Sequence, residues 1–201
     1  MGNNLPTILI LITKADVGGA QVHVLEILKQ LKPRYHFILA TGEEDFLSKQ
    51  AREIGIEVRI LKHLKRAIRF QEDKFGLQEI KFLLQDIKPD IFHCHSSKAG
   101  VLGRLAAWRT GTKTIFTAHG WAFTEGAPKL QRSYGLLVES LLCRLVGSVI
   151  TISDYDFKLA QRFKVGTAQK RFLIKNGVAK PQAFSARKTS QVLNILTIGR
   201  L

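Results

Sequence analysis

The residues able to do chemistry cluster at a few points along the chain. His93-Cys94-His95 sets two imidazoles two positions apart, and on an extended strand positions i and i+2 face the same side. An H-x-H pair is a metal-binding spacing. No carboxylate or third histidine is spaced to complete such a site, so no metal is assigned. His93 instead reads as packed or hydrogen-bonded inside a sheet, with His95 emerging at a strand tip. A third histidine, His119, stands in Thr117-Ala118-His119-Gly120-Trp121, with Phe123 close behind. An imidazole at a strand tip can donate to a sugar hydroxyl or meet charge developing on a phosphate. The rings of Trp121 and Phe123 would offer stacking surfaces for a sugar or a base. A lone histidine is commonly structural, but three at strand tips point to a site, and His119 is its candidate catalytic residue.

Two more stretches could meet an anion. Gly18-Gly19-Ala20-Gln21 follows an apolar run and opens a helix. Glycine lets backbone approach a ligand, and the free N–H groups of a helix start favour phosphate. The stretch is neither a full G-x-G-x-x-G nor a Walker loop, and an ordinary tight turn remains its alternative. Lys98, in Ser96-Ser97-Lys98-Ala99-Gly100, stands near another helix start; its alternative is a solvated lysine. Gly18, Gly19, Gln21, His95 and Lys98 are thus the candidate acceptor- or phosphate-binding residues. Ser153-Asp154 reads as a helix N-cap. Arg200, after Gly199, could bind a diphosphate through its guanidinium if a second domain follows.

These residues need a scaffold, and the hydrophobic rhythm supplies one. Thr7–Thr13 is a continuous apolar run, which predicts a strand buried on both faces. Helical spacing over Ala20–Leu31 is stopped by Pro33. Strands are expected over Tyr35–Thr41, Glu57–Leu61, Asp90–His95, Lys113–Ala118, Ser148–Ser153 and Arg171–Lys175. Helices are expected over Asp45–Ile54, Gly76–Ile87, Gly100–Trp108, Gln131–Val146 and Asp156–Phe163. Regular alternation of this kind predicts an α/β fold, a Rossmann-like doubly wound parallel sheet with helices on both faces. Ligands of such sheets sit beyond the C-terminal ends of the strands, where the candidates fall. The polar stretch 179–191 reads as a linker, after a domain over 1–178. Val192–Ile198 then starts a new strand, so 192–201 is expected to open a second, truncated domain.

Composition narrows the class. The 201 residues carry 31 Lys+Arg against 16 Asp+Glu, a formal charge of +15, which predicts attraction to an anionic partner. With 45% hydrophobic residues the chain is globular rather than disordered. No apolar run reaches the roughly 20 residues of a membrane span, and Ile8–Ile12 is too short and strand-like for a signal peptide. Cys94 and Cys143 cannot make a disulfide framework and read as buried thiols in a reducing compartment. The stretch Lys62–Phe70 interleaves cations with apolar residues, suiting an anionic membrane, nucleic-acid phosphates or plain solvent. Membrane contact is favoured, because no nucleic-acid module signature accompanies it.

Taken together, the strand-tip motifs resemble the N-terminal domain of retaining GT-B glycosyltransferases of family 4. The resemblance spans Gly18-Gly19-Ala20-Gln21, the run Lys88–His95, Ser97-Lys98-Ala99-Gly100, Thr117-Ala118-His119-Gly120, Ile152-Ser153, Ile174–Val178 and Ile198-Gly199-Arg200-Leu201. Ser-Ser-Lys-Ala-Gly and His-Gly-Trp-Ala-Phe are most similar to bacterial enzymes of capsule, exopolysaccharide or O-antigen assembly. Ala179 stands where the family usually has Asp after Asn-Gly-Val.

The resemblance implies a sugar transfer from a nucleotide-sugar, UDP-linked, to a glycan or lipid-linked acceptor, with retention and no essential metal or other cofactor. The N-terminal domain would bind acceptor, and a C-terminal domain the donor. His119 matches the family's cleft histidine, and Arg200 matches an arginine that neutralises the leaving diphosphate. Gly18-Gly19 would face the diphosphate or the acceptor. The protein is then expected in the cytoplasm, peripheral on the inner face of the plasma membrane, and inactive as this half alone. A GT-B nucleotide-sugar epimerase and a non-catalytic binding domain are the alternatives. Nucleic acid is not an expected partner.

Overall fold

The computed structural model describes residues 5–145 and 147–177. Seven parallel strands form one sheet: β1 (Thr7–Ile12), β2 (His36–Thr41), β3 (Glu57–Ile60), β4 (Ile91–His95), β5 (Thr114–Ala118), β6 (Ser148–Thr151) and β7 (Arg171–Leu173). Their order is β3-β2-β1-β4-β5-β6-β7. The chain winds outward in one direction from β1 to β3 and in the other from β4 to β7. The topological switch point therefore lies between β1 and β4, where Ile10 stands opposite His93 and Leu11 opposite Cys94. β1 is an uninterrupted apolar run because it is central, with Leu9, Ile10, Leu11 and Ile12 all fully buried.

Alternate residues of the strands feed two cores. Ile10, Ile12, Phe37 and Leu39 pack against α1 (Gly19–Leu31) and α2 (Phe46–Glu53). Leu9, Leu11, Phe92, Cys94 and Phe116 pack on the opposite face. That face is covered by α3 (Phe70–Ile87) and α4 (Ser97–Thr110), with α5 (Lys129–Leu142) and α6 (Asp154–Arg162) beyond. His93 and His95 share the pleat side of Ile10 and so point to the α1 face.

The strands and helices expected within the described residues are all present, and the differences lie at their ends. Two helices start earlier than their glycines suggested. α4 begins at Ser97 rather than Gly100, because Gly100 and Gly103 are packing residues, not a helix start. A Cβ on Gly103 would stand 2.6 Å from Cys94 Sγ, and one on Gly100 would collide with the Phe116 ring. α3 begins at Phe70 rather than Gly76, for a similar reason: at Gly76 the helix passes so near the β3–α3 loop that a Cβ would lie 3.0 Å from His63 O. β6 and β7 each end two residues before the expected limit, and α5 ends at Leu142 rather than Val146. Ser153 is the N-cap of α6: its Oγ accepts from the backbone N–H of Asp156 at 3.0 Å. Cys94 and Cys143 are free and buried. Burial pushes both thiols up, Cys143 to about 12. The linker over 179–191, the strand Val192–Ile198 and Arg200 lie outside the described residues.

Candidate functional site

Five segments meet at the C-terminal edge of the sheet: the loop after β1, the first turns of α1 and α4, and the ends of β4 and β5. Thr13 joins two of them. Its hydroxyl shares a hydrogen bond of 2.8 Å with Ser96 Oγ and accepts from the backbone N–H of Ala99 at 3.0 Å. Thr13 thus satisfies an early N–H of α4 from across the switch point, in place of the helix's own N-cap side chain. Ser96 holds φ +67°, a left-handed conformation costly for a residue with a Cβ. Thr13 holds it there through the bond between the two hydroxyls and through its own backbone N–H, which donates to Ser96 Oγ at 3.3 Å, and this places the backbone strain directly between β4 and α4.

Gly18 and Gly19 do open α1, as the sequence suggests. Gly18 is the extended N-cap, with no side chain bonded to the first turn, and that turn carries no acidic residue. A Cβ at Gly19 would meet nothing within 4 Å, so this helix end faces open space. Gln21, named as a possible ligand residue, is otherwise engaged. Its Nε2 donates to Lys14 O at 3.1 Å and to Asp16 Oδ1 at 2.9 Å, latching the β1–α1 loop onto the helix. Lys98 is also occupied: it pairs with Asp73 of α3 and donates to Ala67 O at 2.9 Å. The lysine therefore ties α4 to the β3–α3 loop instead of projecting toward an anion.

The histidines form one cluster. His93 Nε2 and Thr117 Oγ1 are hydrogen-bonded at 2.8 Å, and His95 Nδ1 and His119 Nε2 at 2.9 Å. The His93 and His95 rings lie 4.1 Å apart, and those of His95 and His119 5.2 Å. A fourth imidazole, His23 of α1, packs edge-on to His119 at 5.4 Å. Sequence reasoning missed it, since a histidine just past the first turn of a helix reads as surface. Its approach to His95 and His119 depends on how α1 crosses the sheet, which no spacing in the sequence signals. His95 does not emerge from the sheet as expected: it is fully buried beneath the other rings.

Burial leaves these imidazoles neutral. Desolvation, with the neighbouring histidines adding to it, lowers His93 to about 3, His119 to about 4 and His95 well below its ordinary value. His23 is lowered too, by burial. A neutral imidazole offers one N–H and one lone pair. In the His95–His119 pair one ring donates and the other accepts, so the two outward nitrogens carry one of each. Those atoms, His95 Nε2 and His119 Nδ1, are buried with no hydrogen-bond partner. Orphaned buried polar atoms are uncommon and call for a partner. A hydroxyl, both donor and acceptor, satisfies either. Among the described residues no three of His, Cys, Asp or Glu are grouped to hold a metal ion.

The aromatic residues beyond His119 correct another expectation. Trp121 and Phe123 are buried, stacked on each other at 5.0 Å, and Trp121 Nε1 donates to Asp156 O at 2.9 Å. They anchor the β5–α5 loop to α6 in the core and present no face to a ligand. Gly120, at φ +130°, turns the chain from His119 into that core. A surface depression of about 660 Å³ lies at the other edge of the sheet, lined by Lys88, Asp90 and Lys113, away from the switch point.

The family model for glycosyltransferase family 4 matches residues 17–179. The O-antigen biosynthesis glycosyltransferase WbnH of Escherichia coli is 26% identical over 192 residues, which are 95% of this chain and 54% of WbnH. The Escherichia coli UDP-Gal:alpha-D-GlcNAc-diphosphoundecaprenol alpha-1,3-galactosyltransferase is 31% identical over 116 residues, 57% of this chain and 30% of that protein. The chain thus spans about half or less of the length of these relatives. Among solved structures, HepE from Anabaena in complex with UDP-glucose superposes with a TM-score of 0.68 at 17% identity, covering 86% of this chain and 44% of HepE.

Proposed function

The chain belongs to glycosyltransferase family 4, and on that premise we propose that it is the acceptor-side domain of an enzyme of cell-surface polysaccharide synthesis. The reaction is transfer of a sugar from a UDP-sugar to a glycan acceptor carried on a lipid, with retention at the anomeric carbon. The single observation that carries this reading is the neutral pair His95–His119 at the switch point, with its two buried, unpartnered nitrogens.

The chemistry of that pair sorts the roles. In the transfer an acceptor hydroxyl oxygen bonds to the anomeric carbon, the bond from that carbon to the phosphate oxygen breaks, and the hydroxyl's proton passes to the departing nucleoside diphosphate, whose oxygen takes the electron pair and develops negative charge. An imidazole held near 4 by burial is uncharged at neutral pH, which suits His119 to a hydrogen bond with a neutral hydroxyl. It holds a sugar hydroxyl and fixes the ring in place. Charge stabilisation falls to the open start of α1 at Gly18-Gly19 and to Arg200. The diphosphoundecaprenol-acting galactosyltransferase supports a polyprenyl-diphosphate-type acceptor, the O-antigen enzyme WbnH supports cell-surface polysaccharide synthesis, and the UDP-Gal of the former with UDP-glucose in HepE supports a UDP-linked donor. With such an acceptor the enzyme works as a peripheral protein at the cytoplasmic face of a membrane. Family membership favours transfer over an epimerase.

The test uses the protein expressed from its complete reading frame, with a panel of UDP-sugars and an inner-membrane lipid extract. UDP release that depends on the extract, and that His119→Ala lowers by about 100-fold or more, is the expected result. UDP release that ignores the extract sinks the transferase reading.

A further inference from the structure

We propose that the β3–α3 loop and the outer face of α3 together form a docking surface for an anionic lipid bilayer. The surface is apolar where a soluble protein has no need to be. Ile68 is 82% exposed, Phe70 86% and Phe82 68%, with Phe75 also exposed. Phe75 and Phe82 are seven residues apart on α3, so at 100° per residue they form a ridge nearly parallel to the helix axis. Lys74 and Lys81 stand at the same interval and form a second ridge about 100° round the helix. Lys65, Arg66 and Arg69 extend the cations into the loop that carries Ile68 and Phe70.

The cations Lys65, Arg66, Arg69, Lys74 and Lys81 outnumber the four carboxylates of α3, and three of those four are engaged with partners within the fold. Glu72 pairs with His63, Glu79 accepts the backbone N–H groups of Lys62 and His63, and Asp73 pairs with Lys98. Asp86, near the far end of the helix, is the remaining one. Aromatic and aliphatic side chains flanked by lysine and arginine match the boundary of a bilayer, where rings enter the acyl region and cations stay among headgroups. A nucleic acid would meet the same cations but leave Ile68 and Phe82 in water. The face of α5 is different. Leu130, Tyr134, Leu137 and Leu141 are exposed there in a stripe, but Arg132 lies over the Phe163 ring, and the stripe has no second row of cations.

The surface is tied to the histidine cluster. Lys98, three residues after His95, reaches both Ala67 O in the loop and Asp73 in the first turn of α3. A bilayer on this surface lies against the same rim of the sheet as the open start of α1. The docking stands on these residues alone; that it delivers a lipid-borne acceptor rests on the transferase reading.

The test is co-sedimentation of the chain with vesicles of equal parts phosphatidylcholine and phosphatidylglycerol, against phosphatidylcholine alone. Binding to the anionic vesicles only is expected, with about a tenfold loss for Ile68→Ser/Phe70→Ser and for Lys74→Gln/Lys81→Gln. Leu137→Ser/Leu141→Ser on α5 is expected to leave binding unchanged, and thermal melts verify that each variant is folded. Equal binding to both vesicles, no loss in the loop variant, or loss in the α5 variant overturns the proposal. So does tighter binding to random duplex DNA than to anionic vesicles at physiological salt. None of these readouts involves sugar turnover, so failure here leaves the transferase assay as its own test.

Discussion

His95 Nδ1 and His119 Nε2 lie 2.9 Å apart and share one hydrogen bond across the ends of β4 and β5. That bond couples two tautomers: whichever ring donates, the outward nitrogen of the other becomes the donor toward a ligand. His95 has no exposed surface and cannot be the residue that meets substrate first. Its role is to hold His119, by a bond made in a dry site where hydrogen bonds are strong.

The first prediction follows from that division of labour. In the enzyme from its complete reading frame, His95→Leu removes the bond and leaves His119 free to turn. Loss of one such bond costs about 1–3 kcal/mol, and a tenfold or larger fall in kcat with a smaller change in KM is expected. Asparagine places an amide near the Nδ1 position, so His95→Asn should recover much of the rate. Equal rates for the Leu variant and the parent would show that the pair is merely packed.

A second prediction concerns acid. Free histidine in the unfolded chain titrates near 6.5, whereas His119 is held to about 4 and His93 to about 3 in the fold. As pH falls through that window the unfolded chain binds protons first, so stability decreases with decreasing pH. The contribution of the cluster is complete above 6.5 and declines from there toward 4 and below. Urea midpoints measured across the window should fall, and fall less steeply in His93→Phe, which removes one depressed group. A parent midpoint that stays level from neutral pH down to pH 4 would contradict neutral burial of the cluster.

How far the sequence discloses this arrangement depends on whether a local pattern or a tertiary contact decides each feature. The buried run Thr7–Thr13, His93 within β4, His95 at its end and His119 just past β5 follow from hydrophobic period, which survives in one dimension. Gly76 and Gly100 mislead, because a glycine at a helix start and one pressed against His63 O or the Phe116 ring look identical in a list of residues. Trp121 and Phe123 mislead likewise: rings after a strand tip can line a cleft or fill a core, and only the bond from Trp121 to Asp156 O tells which. Gln21 and Lys98 are polar residues near helix starts whose partners, Asp16 and Asp73, are set by loop geometry. Membership of His23 in the cluster depends on how α1 crosses the sheet, which no spacing encodes.

Gly19 separates stability from function. It sits at the first position of α1 without a positive φ, and a Cβ there meets nothing within 4 Å. Gly19→Ala should therefore raise stability by about 0.5 kcal/mol, through a less flexible unfolded chain. If the helix start meets a phosphate or an acceptor, the same methyl group stands in the way and turnover should fall several-fold. Greater stability together with unchanged turnover would remove Gly19 from the site.

The largest stability effect is expected far from the chemistry, at Arg104 of α4 and Glu139 of α5. Arg104 is fully buried, and its NH1 and NH2 groups donate to the two oxygens of Glu139 at 2.7 and 2.9 Å. Its Nε donates to Gly100 O at 2.7 Å, and the guanidinium lies 4.0 Å from the centre of the Phe116 ring. Both charges were taken out of water, so each depends on the other. Removing the carboxylate alone, as in Glu139→Ala, leaves a buried cation and should cost about 3–5 kcal/mol. Replacing both charges with apolar groups of similar volume, Arg104→Met with Glu139→Leu, should restore most of that loss. Chemical denaturation of the single and double variants measures the difference. A double variant no more stable than Glu139→Ala would mean that the Gly100 and Phe116 contacts of Arg104, rather than the ion pair, hold α4 and α5 together.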